Sequence, residues 1–376
     1  MILVKLLFWW FMNKFQGLVF WTYCIRSHFF QVINEISKKQ NVIVAVLDYN
    51  FRDLGIYHVP NAEIILLQTY DDVKRLINKT KLYLHINNYF KPNNISQLLY
   101  LALKYINTNK IECISLFQEQ YPYWGMKGFL RRIQWWYIFH VGVGKYIKAL
   151  GCTGKSSITA YKKAGVSEEK MFEFIYSPYY DIPIIDLNKH QYTKFIFVGQ
   201  LNKRKQIIEL LDVFKKIHNN YSLVIIGDGE LKEEIINKIG HNNQIRFFGN
   251  MPVDKVQQEL ALSDVLILPS EFDGWGCVVN EAISQGLRVI VSNACGSHSL
   301  IENRQFLGQV YPARNKNALL NCLDAEIKRG PLSIEEKNRI IMWSKKITPQ
   351  IEGDYFFEVL TYYYGDRQEK PVAPWS

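Results

Sequence analysis

Phe195-Ile-Phe-Val-Gly199, Leu223-Val-Ile-Ile-Gly227 and Ile245-Arg-Phe-Phe-Gly249 are three short apolar runs, each ending in glycine. Between the first two, Ile207, Leu210, Leu211 and Phe214 recur at helical spacing within Gln206–Ile217, and a second helix is predicted near Leu231–Ile239. The series continues with a helix near Asp254–Leu262, the run Val265-Leu-Ile-Leu268, a helix near Gly276–Gln285 and the run Arg288-Val-Ile-Val291. Apolar strands alternating with helices of about ten residues predict an α/β unit whose parallel sheet is covered on both faces. Ligands of such sheets bind outside the carboxyl ends of the strands, where the glycines here place the connecting loops.

Working outward, the first half of the chain carries weaker signals of the same kind. Strands are expected at Leu3–Phe8, Val42–Leu47, Ile64–Leu67, Leu82–Ile86 and Cys113–Phe117, with helices between them. Tyr176-Ser-Pro178-Tyr-Tyr-Asp-Ile-Pro183 reads as a linker, because two prolines in an extended stretch precede the new strand series. The expected domains are therefore 1–183 and 184–354, with a C-terminal helix, about 355–376, packing back on the first. At 376 residues with 48% hydrophobic and 21% charged residues, the chain has ample apolar surface for a core, which excludes a disordered or collagen-like protein. Six scattered cysteines with no C-x-x-C pair read as reduced thiols of a cytosolic protein.

The net charge of +10 is unevenly spread: residues 1–184 hold 22 basic and 12 acidic residues, the remainder 23 of each. The cationic half is also aromatic, as in Phe8-Trp9-Trp10-Phe11 and the run from Trp124 to Tyr137. That combination suits an anionic surface: lipid headgroups, a phosphorylated acceptor or nucleic acid. Residues 1–24 are apolar, but Lys5 and Lys14 shorten the run below a membrane span, and no small-x-small cleavage site follows. A buried first strand and helix is the favoured reading there, with an interfacial patch or a targeting segment as alternatives. In Lys127–Tyr137, Arg131, Arg132, Trp135 and Trp136 fit either a membrane or lipid-linked acceptor, or a core-facing aromatic stripe with solvated arginines.

Three loops bear on chemistry. Gly151-Cys-Thr-Gly154-Lys155-Ser156 imitates a phosphate-binding P-loop, but the first glycine of that motif falls on Ala149 and no convincing strand precedes it, so a turn before a helix is expected. Ser270-Glu-Phe-Asp273-Gly274-Trp275-Gly276-Cys277-Val278-Val279-Asn280-Glu281 carries two acids eight positions apart around a glycine-bearing loop. With a helix starting near Gly276, the amides of Gly276, Cys277 and Val278 can hold a phosphate, Glu281 a ribose diol, and Asp273 an attached sugar. The bland alternative is an acidic helix start stabilised by its dipole, worth about 0.3–1 kcal/mol. Val198-Gly199-Gln200-Leu201-Asn202-Lys203-Arg204-Lys205 puts three cations behind a strand-ending glycine, suited to a diphosphate or simply solvated.

Gly199-x-Leu201…Lys205, Gly227-Asp-Gly-Glu230, Phe248-Gly249, Ser263-Asp-Val-Leu-Ile-Leu-Pro-Ser270 and Asp273-x7-Glu281 together resemble the retaining glycosyltransferases of family 4. In the first half, Gln118-Glu119-Gln120-Tyr121-Pro122 through Gly125 and Ala164-Gly165-Val166 through Tyr176 look similar to bacterial capsule and O-antigen members. The resemblance implies the GT-B fold: two facing Rossmann-like domains with an interdomain cleft, a nucleotide-sugar donor on the C-terminal domain, an acceptor on the N-terminal one, and neither metal nor other cofactor. It departs from the family at Asp273, where a glutamate is usual, and at Gln200, where an arginine is usual.

The expected activity is transfer of a hexose from a nucleotide diphosphate sugar to a saccharide or lipid-linked saccharide, by a cytoplasmic enzyme on the inner face of the membrane. Asp273, Lys205 and Glu119 are the expected catalytic residues. Gly199, Gln200, Lys205, Gly274, Trp275, Gly276, Cys277, Val278 and Glu281 are expected to bind the donor. His85 and Arg204 are further candidate substrate contacts. An epimerase or phosphorylase on the same fold, and more remotely a nucleic-acid-binding protein, are the competing readings. The latter lacks any reader motif.

Overall fold

The computed structural model describes residues 14–24, 27–48, 59–122, 125–177 and 191–376. The chain divides into two units, Met1–Tyr179 with Ile347–Ser376, and Tyr180–Lys346.

The first unit is built on seven parallel strands: β1 Leu18–Thr22, β2 Val42–Val46, β3 Ala62–Leu66, β4 Leu84–Asn87, β5 Cys113–Gln118, β6 Leu150–Thr153 and β7 Met171–Phe174. Their spatial order is β3-β2-β1-β4-β5-β6-β7. Every residue of β2 (Val-Ile-Val-Ala-Val) is buried, as expected of a strand covered on both faces. Helices at 70–79, 97–108 and 125–140 bury Leu76, Ile77, Leu99, Leu103, Ile106 and Ile138 in one apolar cluster with Val19, Trp21, Ile43 and Ala45 of the sheet. Each such side chain is worth roughly 1.5–3 kcal/mol. The helix Tyr70–Lys79 starts on a capping box between Thr69 and Asp72. The C-terminal helix Pro349–Tyr364 lies against Ser27–Ser37 in this same unit.

The second unit has six parallel strands: β8 Lys194–Val198, β9 Ser222–Ile226, β10 Ile245–Gly249, β11 Val265–Leu268, β12 Arg288–Ser292 and β13 Gly308–Tyr311. The order β10-β9-β8-β11-β12-β13 repeats that of the first sheet without its last strand. In both, the chain winds outward from the middle in one direction and then, from β4 or β11, in the other.

The predicted strands of the second unit stand within a residue of their expected ends; β13 was not anticipated, because Gly308-Gln-Val-Tyr311 offers a single aliphatic residue. The first unit departs further. The strand expected at Leu3–Phe8, the cluster Phe8–Phe11, Trp124 and most of the proline-bearing linker lie outside the described residues. Two further strands went unread, Leu18–Thr22 and Met171–Phe174. Leu150-Gly-Cys-Thr153, read as a turn, is strand β6, which feeds the helix Gly154–Lys163. A strand of one leucine, two small residues and a threonine has no apolar run to betray it, and its pairing with β5 and β7 decides the matter. No helix among the described residues is long and apolar enough to cross a membrane.

Candidate active site

In the second sheet, β8 and β11 are neighbours in space but not in sequence. Their ladder runs over Phe195–Val265 and Ile196–Leu266 and stops there, while β8 continues to Val198 and β11 to Leu268. The carboxyl ends of two strands on either side of an order reversal are where α/β sheets receive ligands. The two cation- and acid-bearing loops picked out from sequence follow these two strands.

The loop after β8 is drawn tight by glycine. A Cβ on Gly227, at the end of β9, would sit 1.9 Å from the carbonyl oxygen of Gly199, so only glycine permits the approach. Asn202 then caps a single 3-10 turn, Lys203–Lys205, its Oδ1 accepting from the amide of Lys205 at 3.2 Å. That cap turns Lys205 inward. Lys205 Nζ donates to Asp273 Oδ2, in the loop after β11, with only 11% and 13% of the two side chains exposed. Arg204 comes within 3.6 Å of the same carboxylate oxygen and donates to the Phe272 carbonyl at 2.9 Å. The amide of Glu271 donates back to the Arg204 carbonyl at 2.9 Å. The two loops are thus tied by backbone as well as by charge, and Arg204 is engaged in that tie.

Asp273 is braced from its other side by the loop after β12. Its amide donates to Ala294 O at 3.1 Å, its carbonyl accepts from Gly296 N at 3.2 Å, and Trp275 O accepts from Ser297 N at 2.9 Å. The indole of Trp275 is buried, with Nε1 donating to Asn280 Oδ1 at 2.9 Å. The Trp275 side chain thus anchors the loop from beneath. Gly276 has φ +91°, and a Cβ there would meet Leu268 Cδ2 at 2.6 Å. The helix begins at Val278, two residues later than expected, with half-exposed Cys277 as its N-cap. Glu281, half-buried, falls in its first turn. Gly199 is partly exposed, Gln200 is exposed and Gly274 is buried.

Chemically, Lys205 carries three N–H donors on one ammonium, one of which goes to Asp273. A paired, mostly buried cation held by loop backbone is preorganised to take phosphate oxygens on its remaining donors. Asn202 went unnoticed in the sequence, though an asparagine three residues before the cation of interest is a readable cap.

The first unit holds the other two candidates. Glu119 is exposed just beyond β5; Tyr176 Oη donates to its Oε1 at 3.1 Å, and Tyr161 Oη to its carbonyl at 3.4 Å. Two residues before it, Phe117 adopts φ +55°, a conformation costly for an aromatic residue, and stacks on Tyr176 at 5.0 Å. His85 is fully buried inside β4. Its Nδ1 accepts from Trp21 Nε1 and its Nε2 donates to Thr80 O, both at 3.0 Å. Burial pushes its pKa down to about 4, against a smaller upward effect of the Thr80 carbonyl. His85 is a neutral core residue with both ring nitrogens spoken for.

Residues 183–341 match the family model described as glycosyl transferases group 1. That match lies within the second unit. Over 164 residues the chain is 28% identical to the UDP-Gal:alpha-D-GlcNAc-diphosphoundecaprenol alpha-1,3-galactosyltransferase of Escherichia coli, taking in 41% of each chain. Over 185 residues it is 29% identical to the sulfoquinovosyl transferase SQD2 of Arabidopsis thaliana, taking in 49% of this chain and 36% of that one. The matches thus span well under two thirds of these relatives. Among solved structures, Anabaena Alr3699/HepE in complex with UDP superposes with a TM-score of 0.71 at 15% identity, over 92% of this chain and 99% of that one. The lipopolysaccharide outer core galactosyltransferase WaaB in its apo form gives 0.69 at 16% identity, over 92% and 98%. The two Rossmann-like units are those of the GT-B fold.

Proposed function

We propose that the protein is a retaining hexosyltransferase of family 4, moving a sugar from a nucleotide diphosphate to a saccharide or lipid-linked saccharide in cell-surface polysaccharide synthesis. The observation that carries the reading is Lys205 held against Asp273 where β8 and β11 part. The names of the relatives, a galactosyltransferase acting on a diphosphoundecaprenol acceptor and a UDP-bound structure, point the same way.

In this reading Lys205 neutralises the departing diphosphate, helped by the amides of Gly276–Val278, while Glu281 takes the ribose diol. Asp273 orients the sugar and, one methylene shorter than glutamate, remains close to its lysine. The C1–O bond to phosphate breaks and the acceptor oxygen forms its bond to C1 on the same face. The acceptor proton passes to the departing phosphate oxygen, which explains retention without a protein nucleophile. Glu119, held by Tyr176, is assigned to the acceptor side. No metal or other cofactor is needed, since the ammonium supplies the compensating charge, and we place the enzyme on the inner face of the cytoplasmic membrane.

Thermal unfolding across UDP, GDP and their common hexose conjugates tests this. Stabilisation by one nucleotide series, lost in Lys205→Ala and in Glu281→Ala, is the expected result, because selective binding raises the midpoint by mass action. If no nucleotide shifts the wild type, or both variants respond as it does, the assignment falls.

A further inference from the structure

The helix Gly125–His140 has two apolar faces, and only one of them packs into the core of the described residues. Ile138, Trp135 and Phe139 turn inward, where Trp135 meets Phe90, Tyr121 and Tyr161 at ring distances of 5.1 to 6.1 Å. On the other side Met126, Phe129, Leu130, Ile133, Trp136 and Tyr137 are all exposed, Met126 at 76%, Leu130 at 59% and Tyr137 at 57%. Their spacing of three and four residues makes one continuous stripe, the pattern that ordinarily faces a core. The core-facing stripe expected from sequence is the inner face; the outer face carries its apolar side chains at the surface.

We propose that this outer stripe seats the protein on an anionic lipid surface. Charge selects the occupant. From residue 120 to 167 the chain has eight basic residues (Lys127, Arg131, Arg132, Lys145, Lys148, Lys155, Lys162 and Lys163) and no acidic one. Helical geometry puts Lys127 along one margin of the stripe and Arg132 along the other, with exposed Arg131 farther round beyond Lys127. Lys91 adds a cation at the first margin, its Nζ donating to Gln134 Oε1 at 2.8 Å and lying 4.5 Å from the Trp135 ring centre. Arg132 lies over the ring of Phe129, its guanidinium 5.5 Å from the ring centre. An apolar stripe with aromatic rings and cations on both margins lies flat in a headgroup layer, apolar side chains in the acyl boundary and cations among the phosphates. A second copy of the chain is the wrong partner, because a self-complementary contact here would set the same cations against themselves. The inference stands apart from the donor reading, since none of these residues belongs to that site.

The test is flotation with vesicles of equimolar phosphatidylglycerol and phosphatidylcholine, against vesicles of phosphatidylcholine alone. The wild type should float with the anionic vesicles only, and added salt should weaken that binding. Leu130→Ser combined with Ile133→Ser should reduce bound protein at least tenfold, and Lys127→Glu with Arg131→Glu likewise. All four side chains are exposed, so melting temperature should stay as in the wild type and confirm that the variants fold. Lys205→Ala should float normally, which separates failure of this proposal from failure of the donor reading. Equal flotation of wild type and variants would overturn the proposal. So would a concentration-dependent dimer, abolished by the double serine variant, in a protein that ignores vesicles.

Discussion

Arg288 in the second unit is wholly buried yet stays charged, its Nε 2.6 Å from Glu326 Oε2 and its Nη1 3.3 Å from Glu336 Oε1. In the first unit His85 and Glu352 are as deeply buried, but burial holds each neutral: His85 with its pKa lowered to about 4, Glu352 with its pKa raised to about 8. The same strand order has been furnished in two ways. The second unit keeps charges inside by pairing them, and at Lys205 and Asp273 it brings such a pair to the place where the sheet accepts a ligand. The first unit holds His85 and Glu352 neutral and carries exposed cations beside an apolar stripe.

The largest effect should come from unpairing the second unit. Glu326→Ala leaves Arg288 buried with Glu336 and the Gly330 carbonyl as its remaining partners. A broken buried pair costs about 3–5 kcal/mol, and the surviving contacts put this case near the lower end. Urea unfolding measures it, and a loss under about 1 kcal/mol would mean that the pairing does not matter. Next in size is Lys205→Ala, which should raise the transfer barrier by about 2.7–4 kcal/mol, by analogy with a lost oxyanion donor. Steady-state rates at saturating donor show this as a fall in kcat. A change confined to KM would make Lys205 a ground-state contact only.

The first unit predicts a pH profile. A buried histidine with a lowered pKa adds stability that is complete above its ordinary value of 6.5 and lost as the pH falls through about 4. A buried glutamate with a raised pKa does the reverse: its contribution is complete below 4.5 and lost as the pH climbs through about 8. Each has a limiting slope of about 1.4 kcal/mol per pH unit. Between pH 4.5 and 6.5 the two slopes oppose one another, and from 6.5 to 8 stability should decline. Glu352→Gln keeps an acceptor oxygen for the Ile175 amide, removes the upper slope, and should make the variant more stable than the wild type at pH 8. An unchanged profile would show Glu352 to be ionised in place.

The two units were unequally legible for the same reason that they differ. In the second, β8, β9 and β10 are aliphatic or aromatic runs that stop at glycine, and Asp273 and Lys205 stand in the loops just past strand ends, so residue type and position agree. The backbone hydrogen bonds that press 273–276 onto 294–297 leave no local mark, and neither does the burial of Trp275, whose partner Asn280 is recognisable only once the helix is placed. In the first, His85 ends an alternating run and looks like a strand-end polar residue. What makes it a core residue is Trp21, 64 positions away in a strand the periodicity did not reveal. The outward stripe of 125–140 could be seen as apolar but not as exposed, because its inward twin has the same composition.

Cys277 gives the mildest and most local probe of the second unit. It caps the helix carrying Glu281 and is half-exposed, whereas Cys24, Cys113, Cys152, Cys295 and Cys322 are buried. A small alkylating reagent should therefore modify one thiol per folded chain, and peptide mapping should locate it at 277. If the nucleotide diphosphate lodges at this helix start, UDP or GDP at about ten times its Kd should slow that modification roughly tenfold, since only the unliganded fraction reacts. The same nucleotide should leave flotation on anionic vesicles unchanged, because the apolar stripe lies in the other unit. Labelling that ignores every nucleotide, while thermal unfolding still responds to one, would move the diphosphate away from Gly276–Val278 and leave Lys205 as the anchor of the site.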